Sequence, residues 1–209
     1  DFEVDSWQEL RDAVQKAENG DVIRLTDDIT DAGSDADGID GVSSATLPME
    51  SEDGKALTLD GDGHSISAAD DSTYCFLINT GASGGTTTVK DLTVNGASNG
   101  SKVGGAFFLE NGDIVIDNVD FKNCGATSTS ATNGGGALCL NNHGGMPSVT
   151  VSDCTFTDCY VGAAEAEGET GRGGAIYANH FNTKPVTDET AVMKLTVENC
   201  TFSGNKAAY

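Results

Sequence analysis

Carboxylates are the side chains here most able to do chemistry. Asp35, Asp37 and Asp40 fall inside the stretch DDITDAGSDADGIDG, residues 27–41. With Gly38 permitting a bend, they set three hard oxygen donors on one turn, which is what Ca2+ asks for. The twelve-residue EF-hand spacing and its terminal Glu are absent, so a solvated acidic loop is the alternative. Asp60-Gly61-Asp62-Gly63-His64 offers two carboxylates beside a base. The same letters spell a turn, with Asp bonding backbone and Gly supplying positive φ. His143 and His180 follow two GGA segments, and Asn111, Asn142 and His180 fall at equivalent places. A corner ladder of polar side chains accounts for them. A catalytic His needs a partner at defined geometry, and the sequence shows none.

Six cysteines, at 75, 124, 139, 154, 159 and 200, form no Cys-x2-Cys pair, and with 3 His they do not spell a zinc site. Arginine occurs only at 11, 24 and 172.

These groups must be positioned by something, and internal repetition says what. VKDLTVNGA from Val89, IDNVDFKNC from Ile116, VSDCTFTDC from Val151 and VENCTFSGN from Val197 align, with apolar residues at offsets 0, 3 and 5. VIRL ending at Leu25 and LTL ending at Leu59 are weaker members. The distance between equivalent positions varies from 27 to 46 residues. A second segment alternates with the first: GGAFFL from Gly104, GGALCL from Gly135 and GGAIYA from Gly173, with YCFLI from Tyr74 as a glycine-free version. Both are short, alternating and rich in β-branched or aromatic residues, so both are strands. A strand this short cannot bury its apolar side alone, but stacked repeats bury it in one continuous core.

The expectation is an all-β, right-handed parallel β-helix of about five to six coils over 21–209. Its strands are fixed and its loops vary, among them an acidic loop at 27–55. Parallel neighbours lie about 4.8 Å apart. Val119, Cys154 and Cys200 then form one inward stack, Phe121, Phe156 and Phe202 a second, and Phe107, Leu138 and Ile176 a third. Gly-Gly before the latter strand marks a tight corner, where a Cβ would clash or φ must be positive.

Cys124 stacks on Cys159 as Cys154 does on Cys200. The Cα spacing suits a disulfide, but parallel Cβ vectors leave the Cβ atoms beyond the usual ~3.8 Å. A thiol ladder and a set of bridges both stay open. Phe108, Cys139 and Tyr177 take outward positions, as an exposed aromatic stripe or as residues under a loop. Phe108, Tyr177 and Arg172 are therefore the candidate ligand surface.

The N-terminal segment, 1–20, differs. Ser6-Trp7-Gln8-Glu9 is a capping box, Leu10, Ala13, Val14 and Ala17 follow at helical spacing, and Asn19-Gly20 is a stop. A short helix over 6–18 would cover the exposed end of the stack. No equivalent closes the other end. FSGNKAAY stands where the next GGA strand would be due, so the chain reads as excised from a longer repeat protein.

The pairing of Gly173-Gly174-Ala175-Ile176 with Phe202-Ser203-Gly204-Asn205 resembles the repeat of chlamydial polymorphic outer-membrane proteins. It also resembles the adhesin-like right-handed β-helix proteins of bacteria and archaea. The opening SWQELRDAVQKAENGDVIRLTDDI is similar to the cap of pectin-lyase-like proteins. The copies at Phe121 and Phe156 depart from the motif by ending in Cys124 and Cys159. The resemblance is specific for the fold; the repeat, the acidic surface, the excised ends and the lack of a catalytic set point to a non-catalytic, extracellular, cell-surface adhesin or ligand-presenting module.

The alternative on the same fold is a polysaccharide lyase or glycoside hydrolase. A glycosidase needs two carboxylates at a set separation. A uronate lyase needs a base and charge neutralisation at the substrate, for which Arg172, beside a GGA corner, is the one candidate. The polygalacturonase motifs are not present as a set; Asp70-Asp71 stands alone.

Charge narrows the partners. With 33 acidic and 11 basic residues the chain carries −22, which repels nucleic acid and anionic membranes. No apolar run is long enough to span a bilayer. Expected partners are a glycan or protein of a host or neighbouring cell, met by a monomer, with no cofactor apart from the Ca2+ alternative.

Overall fold

The computed structural model describes residues 1–31, 46–50, 55–68, 75–80, 85–99, 104–126, 134–141, 146–162, 171–179 and 192–207. Asp35, Asp37, Asp40, Asp70, Asp71, Asn142, His143 and His180 lie outside them. The elements are β1 (Phe2–Val4), α1 (Trp7–Lys16), β2 (Val22–Leu25), β3 (Ile29–Asp31), β4 (Thr46–Glu50), β5 (Thr58–Asp60), β6 (Ser65–Ala68), β7 (Cys75–Asn79), β8 (Thr86–Asn95), β9 (Ser98–Asn99), β10 (Phe107–Lys122), β11 (Gly125–Ala126), β12 (Leu138–Asn141), β13 (Pro147–Ser152), β14 (Thr155–Thr157), β15 (Tyr160–Val161), β16 (Ile176–Asn179), β17 (Lys194–Glu198), β18 (Thr201–Ser203) and β19 (Lys206–Ala207). The protein is mostly β, with one short helix and parallel pairing throughout a fifteen-stranded and a four-stranded sheet.

The aligned repeats are in register. Val89 pairs with Ile116, Ile116 with Val151 and Val151 with Val197. Phe121 pairs with Phe156 and Phe156 with Phe202, and their rings stack at centroid distances of 4.9 Å, 9° and 5° from parallel. Phe107, Leu138 and Ile176 form the column on the opposite wall, and Phe107 meets Phe121 edge-on at 5.4 Å. Alternation along each strand drives one side chain in two into this core, which buries Val94, Leu109, Val119, Leu138 and Phe156 fully.

The last described repeat departs from the expected stacks. Phe202 is 50% exposed, Val197 is 41% exposed and Cys200 is half-buried. They sit at the end of their columns, and among the described residues no strand lies beyond β17 and β18.

Two bends per repeat shape the strands. Asp91, Asn118, Asp153 and Asn199 all have φ of 52–53°, and Gly96, Asn123, Asp158 and Gly204, five residues on, are also positive. Asx and Gly populate this left-handed region at the lowest cost, which is why only they stand there. After the second bend comes the four-stranded sheet β9–β11–β15–β19, a wall the sequence reading did not anticipate.

Both glycines of each corner are needed. Gly104, Gly135 and Gly173 carry positive φ (78°, 74° and 59°), and a Cβ on Gly135 would also fall 2.0 Å from the Leu138 oxygen. Gly105, Gly136 and Gly174 lack the positive φ but likewise have no room for a side chain. A Cβ on Gly136 would fall 2.1 Å from the Gly174 oxygen and 2.6 Å from the Tyr160 nitrogen, and one on Gly174 would fall 2.6 Å from the Lys206 oxygen. Backbone therefore packs on backbone where the GGA strand passes the four-stranded sheet.

At the N-terminus the Ser6 hydroxyl accepts the Glu9 N–H at 3.4 Å, while Glu9 Oε2 accepts the Asp5 N–H at 3.1 Å, one residue before the usual capping-box partner. Trp7, Leu10, Ala13 and Val14 pack into the core. The helix ends at Lys16, earlier than 18, because Ala17 turns extended and buries its methyl group. The Lys55 ammonium takes the freed carbonyls, donating to Val14 O at 2.7 Å and Ala17 O at 3.3 Å. Residues 1–20 are more than a helix: β1 adds a strand alongside β2.

Candidate functional site

The D-G-D-G segment is a turn. The Asp62 N–H donates to Asp60 Oδ1 at 3.1 Å, the His64 N–H donates to Gly61 O, and Gly63 has φ of 88°. Asp60 is buried and serves as the centre of an ion cluster. Its Oδ2 receives Arg24 Nη2 at 3.1 Å and Lys90 Nζ at 3.0 Å, and Lys90 also reaches Asp91 at 3.0 Å. Burial pushes the Asp60 carboxyl up, but hydrogen bonds from Lys90, the Asp62 N–H and Arg24 outweigh it and hold the group below the usual range. These residues belong to one outward row, Glu3–Arg24–Asp60–Lys90–Asp117, that alternates in sign across paired strands. His64 Nδ1 stands 3.7 Å from Asp28.

Beside this row the first bends enclose a concavity of about 370 Å3 lined by Asp62, Asp91, Asn118 and Asp120. The Asn118 amide donates to Asp91 at 2.8 Å and, with Lys90, keeps that carboxyl ionised. Among the described residues no group of three or more His, Cys, Asp or Glu is arranged to hold a metal ion.

Cys124, Cys139, Cys154, Cys159 and Cys200 are free thiols. Cys154 Sγ lies 3.1 Å from Ser152 O and 3.6 Å from Ile116 O, and Cys200 repeats the pattern with Glu198 and Val151. Each S–H thus serves a carbonyl of the adjoining bend. Burial pushes the Cys154 and Cys139 thiols up to about 12. At the next inward position Asn205 does the equivalent with an amide, accepting from the Cys159 N–H and donating to Phe156 O, both at 2.9 Å.

The outward column Phe108–Cys139–Tyr177 is in register, but it is not a continuous exposed stripe. Cys139 is fully buried, and Phe108 and Tyr177 are half-buried. The cause is the glycine corner, which folds back over the strand: a Cβ on Gly104 would touch the Cys139 Cβ at 3.0 Å. The Tyr177 ring lies against Gly134, and its hydroxyl accepts from Arg172 Nη1 at 3.2 Å. Arg172 is exposed and bridges Gly134 in the neighbouring repeat. Tyr160 and Lys206 flank this corner and were missed in the sequence, since two-residue strands carry no readable alternation.

The family model described as "Putative pectate lyase-like adhesive domain" matches residues 1–158. No curated protein and no solved structure matches the chain. Among the described residues no helix is long and apolar enough to cross a membrane.

Proposed function

The chain belongs to the pectate lyase-like adhesive domain family, and on that premise we propose a non-catalytic adhesive module of a cell surface, built as a right-handed parallel β-helix. The family match over residues 1–158 carries the reading. The in-register columns, two bends per repeat and recurrent glycine corners support the helical winding, and parallel crossovers are right-handed as a rule. Recognition then falls to what projects from a rigid frame. The partner is a glycan or protein of a host or neighbouring cell, and the module works as a monomer outside the cell.

In the ion cluster Arg24 and Lys90 are both occupied by Asp60, so that row offers no cation to a substrate carboxylate; Arg172, exposed beside its glycine corner, is the one candidate left to lyase chemistry. Beads coated with the protein should adhere to glycan-bearing cells above the level of an inert acidic protein. Polygalacturonate should yield no unsaturated product, with or without Ca2+. Turnover at ordinary enzyme loading together with non-adherent beads would reverse the assignment.

A further inference from the structure

The inward column that begins Leu92, Val119 finishes on two cysteines. Ser152 pairs with Glu198 and Thr155 with Thr201, and the Thr201 N–H donates to Cys154 O at 2.9 Å. Cys154 and Cys200 therefore stand opposite one another on neighbouring repeats. Their thiols share a hydrogen bond. Cys200 Sγ also reaches Val151 O at 3.6 Å, on the strand that leads into Cys154. The two differ in access: Cys154 is buried, whereas Cys200 is half-buried.

A bridge between parallel neighbours requires movement. Repeats about 4.8 Å apart hold their Cβ atoms farther than the ~3.8 Å of a disulfide, so one repeat must close by about 1 Å. The last described repeat can give. Among the described residues β17 and β18 are paired on one side only, with Val197 41% and Phe202 50% exposed. Cys124 and Cys159 make the same thiol contact in the next column. Both are fully buried, and β11 and β15, which follow them, are paired on both sides. Of these two pairs, only Cys154 and Cys200 add access and freedom to close.

We propose that Cys200 and Cys154 form an oxidation site, at which a hydroperoxide turns the contact into a disulfide that clips the last described repeat to its neighbour. Cys200 reacts first, because it is the thiol that solvent reaches. Its sulfur attacks one peroxide oxygen, the O–O bond breaks, and the Cys200 thiol proton leaves with the other oxygen as water or alcohol, giving a sulfenic acid. The Cys154 sulfur, already in contact, then attacks the Cys200 sulfur. The S–O bond breaks, and the hydroxyl departs with the Cys154 proton as water. Two thiols are oxidised and one peroxide is reduced, and an external dithiol reverses the link. The clip restrains the strands with the fewest neighbours, so its effect is local: less fraying of β17 and β18. The inference goes beyond the adhesive reading and does not depend on it.

To test this, the reduced, folded chain is treated with hydrogen peroxide near neutral pH and blocked with N-ethylmaleimide. It is then cleaved before aspartate, which parts Cys154 from Cys159 and both from Cys200. The intact mass should fall by about 2 Da before blocking, and the peptide map should join Cys154 to Cys200, reversibly with dithiothreitol. Backbone hydrogen exchange in β17 and β18 should slow about tenfold on oxidation, with β8 unchanged. In Cys154→Ser a dimedone-reactive sulfenic acid should persist on Cys200. In Cys200→Ser the Cys154 thiol should stay unmodified. A Cys124–Cys159 link that forms first, or Cys200 joined to any other cysteine or to a second chain, would overturn the proposal. So would sulfinic acid on Cys200 with Cys154 still free, or unchanged exchange in β17 and β18.

Discussion

At the scale of single residues, the glycines separate two physical demands that look alike in sequence. Gly136 has no space for a side chain, because its missing Cβ would meet backbone on two sides. Gly63 has φ of 88° but nothing within 4 Å. Gly136→Ala should therefore cost ~3 kcal/mol or more, since backbone cannot yield as a side chain would. Gly63→Ala should cost only the ~1–2 kcal/mol of a left-handed alanine. Urea unfolding measures both, and equal losses would contradict the backbone-on-backbone contact. The doublet was legible as a corner, but that its first glycine meets both demands and its second only the want of space was not. Cysteine is a second case. Repeat position marked Cys154 and Cys200 as stacked, and contact with bend carbonyls shows what their S–H groups do. With its thiol pushed up to about 12, Cys154 should resist a thiol-specific disulfide reagent at pH 8 in native protein, while half-buried Cys200 reacts. Native labelling followed by peptide mapping checks the order.

At the scale of elements, what was legible had a period. The sheet strands and α1 announce themselves by alternation and by 3.6-residue spacing. The walls β9, β11, β15 and β19 are two residues long and have no period to read. Their presence was hidden in the Asp, Asn and Gly at the second bends, which turn the chain into them. The helix shows the same division. Ser6 was recognisable as its start, and Ser6→Ala should lower stability by about 1 kcal/mol. A thermal melt followed at the core Trp7 reads this out. The helix's other end depends on Lys55, 41 residues from Val14 in the chain, and no local pattern could reveal that pairing.

At the scale of the whole molecule, the acid response follows from carboxylates held ionised. Asp21 is lowered by the Glu18 N–H, Asp28 by Ser65, Asp60 by Lys90, Asp62 N–H and Arg24 against its burial, and Asp91 by Asn118 and Lys90. A carboxyl lowered in the folded state stabilises above its unfolded value of about 3.9 and loses that contribution as pH falls through the folded value. Stability should be flat near neutrality with respect to these groups and drop below about pH 4. Asp60→Asn should be less stable at pH 7, with Arg24 losing its ion pair and Lys90 keeping only Asp91, and should show a shallower acid decline. Denaturation midpoints across pH 2–7 test this, and parallel curves would exclude Asp60 as a contributor. The stacking of repeats was legible at this scale because equivalent residues recur. The contacts across the glycine corners were not, because the Tyr160 and Lys206 backbones that pack on Gly136 and Gly174 belong to segments too short to show a period.

Those corner glycines also bear on heredity. Any missense change at a glycine codon installs at least a methyl group, and at Gly105, Gly136 and Gly174 even that first carbon collides with main chain. A lineage carrying this protein can drift freely in what it displays to its surroundings, while the girth of the shaft stays locked at the level of the gene.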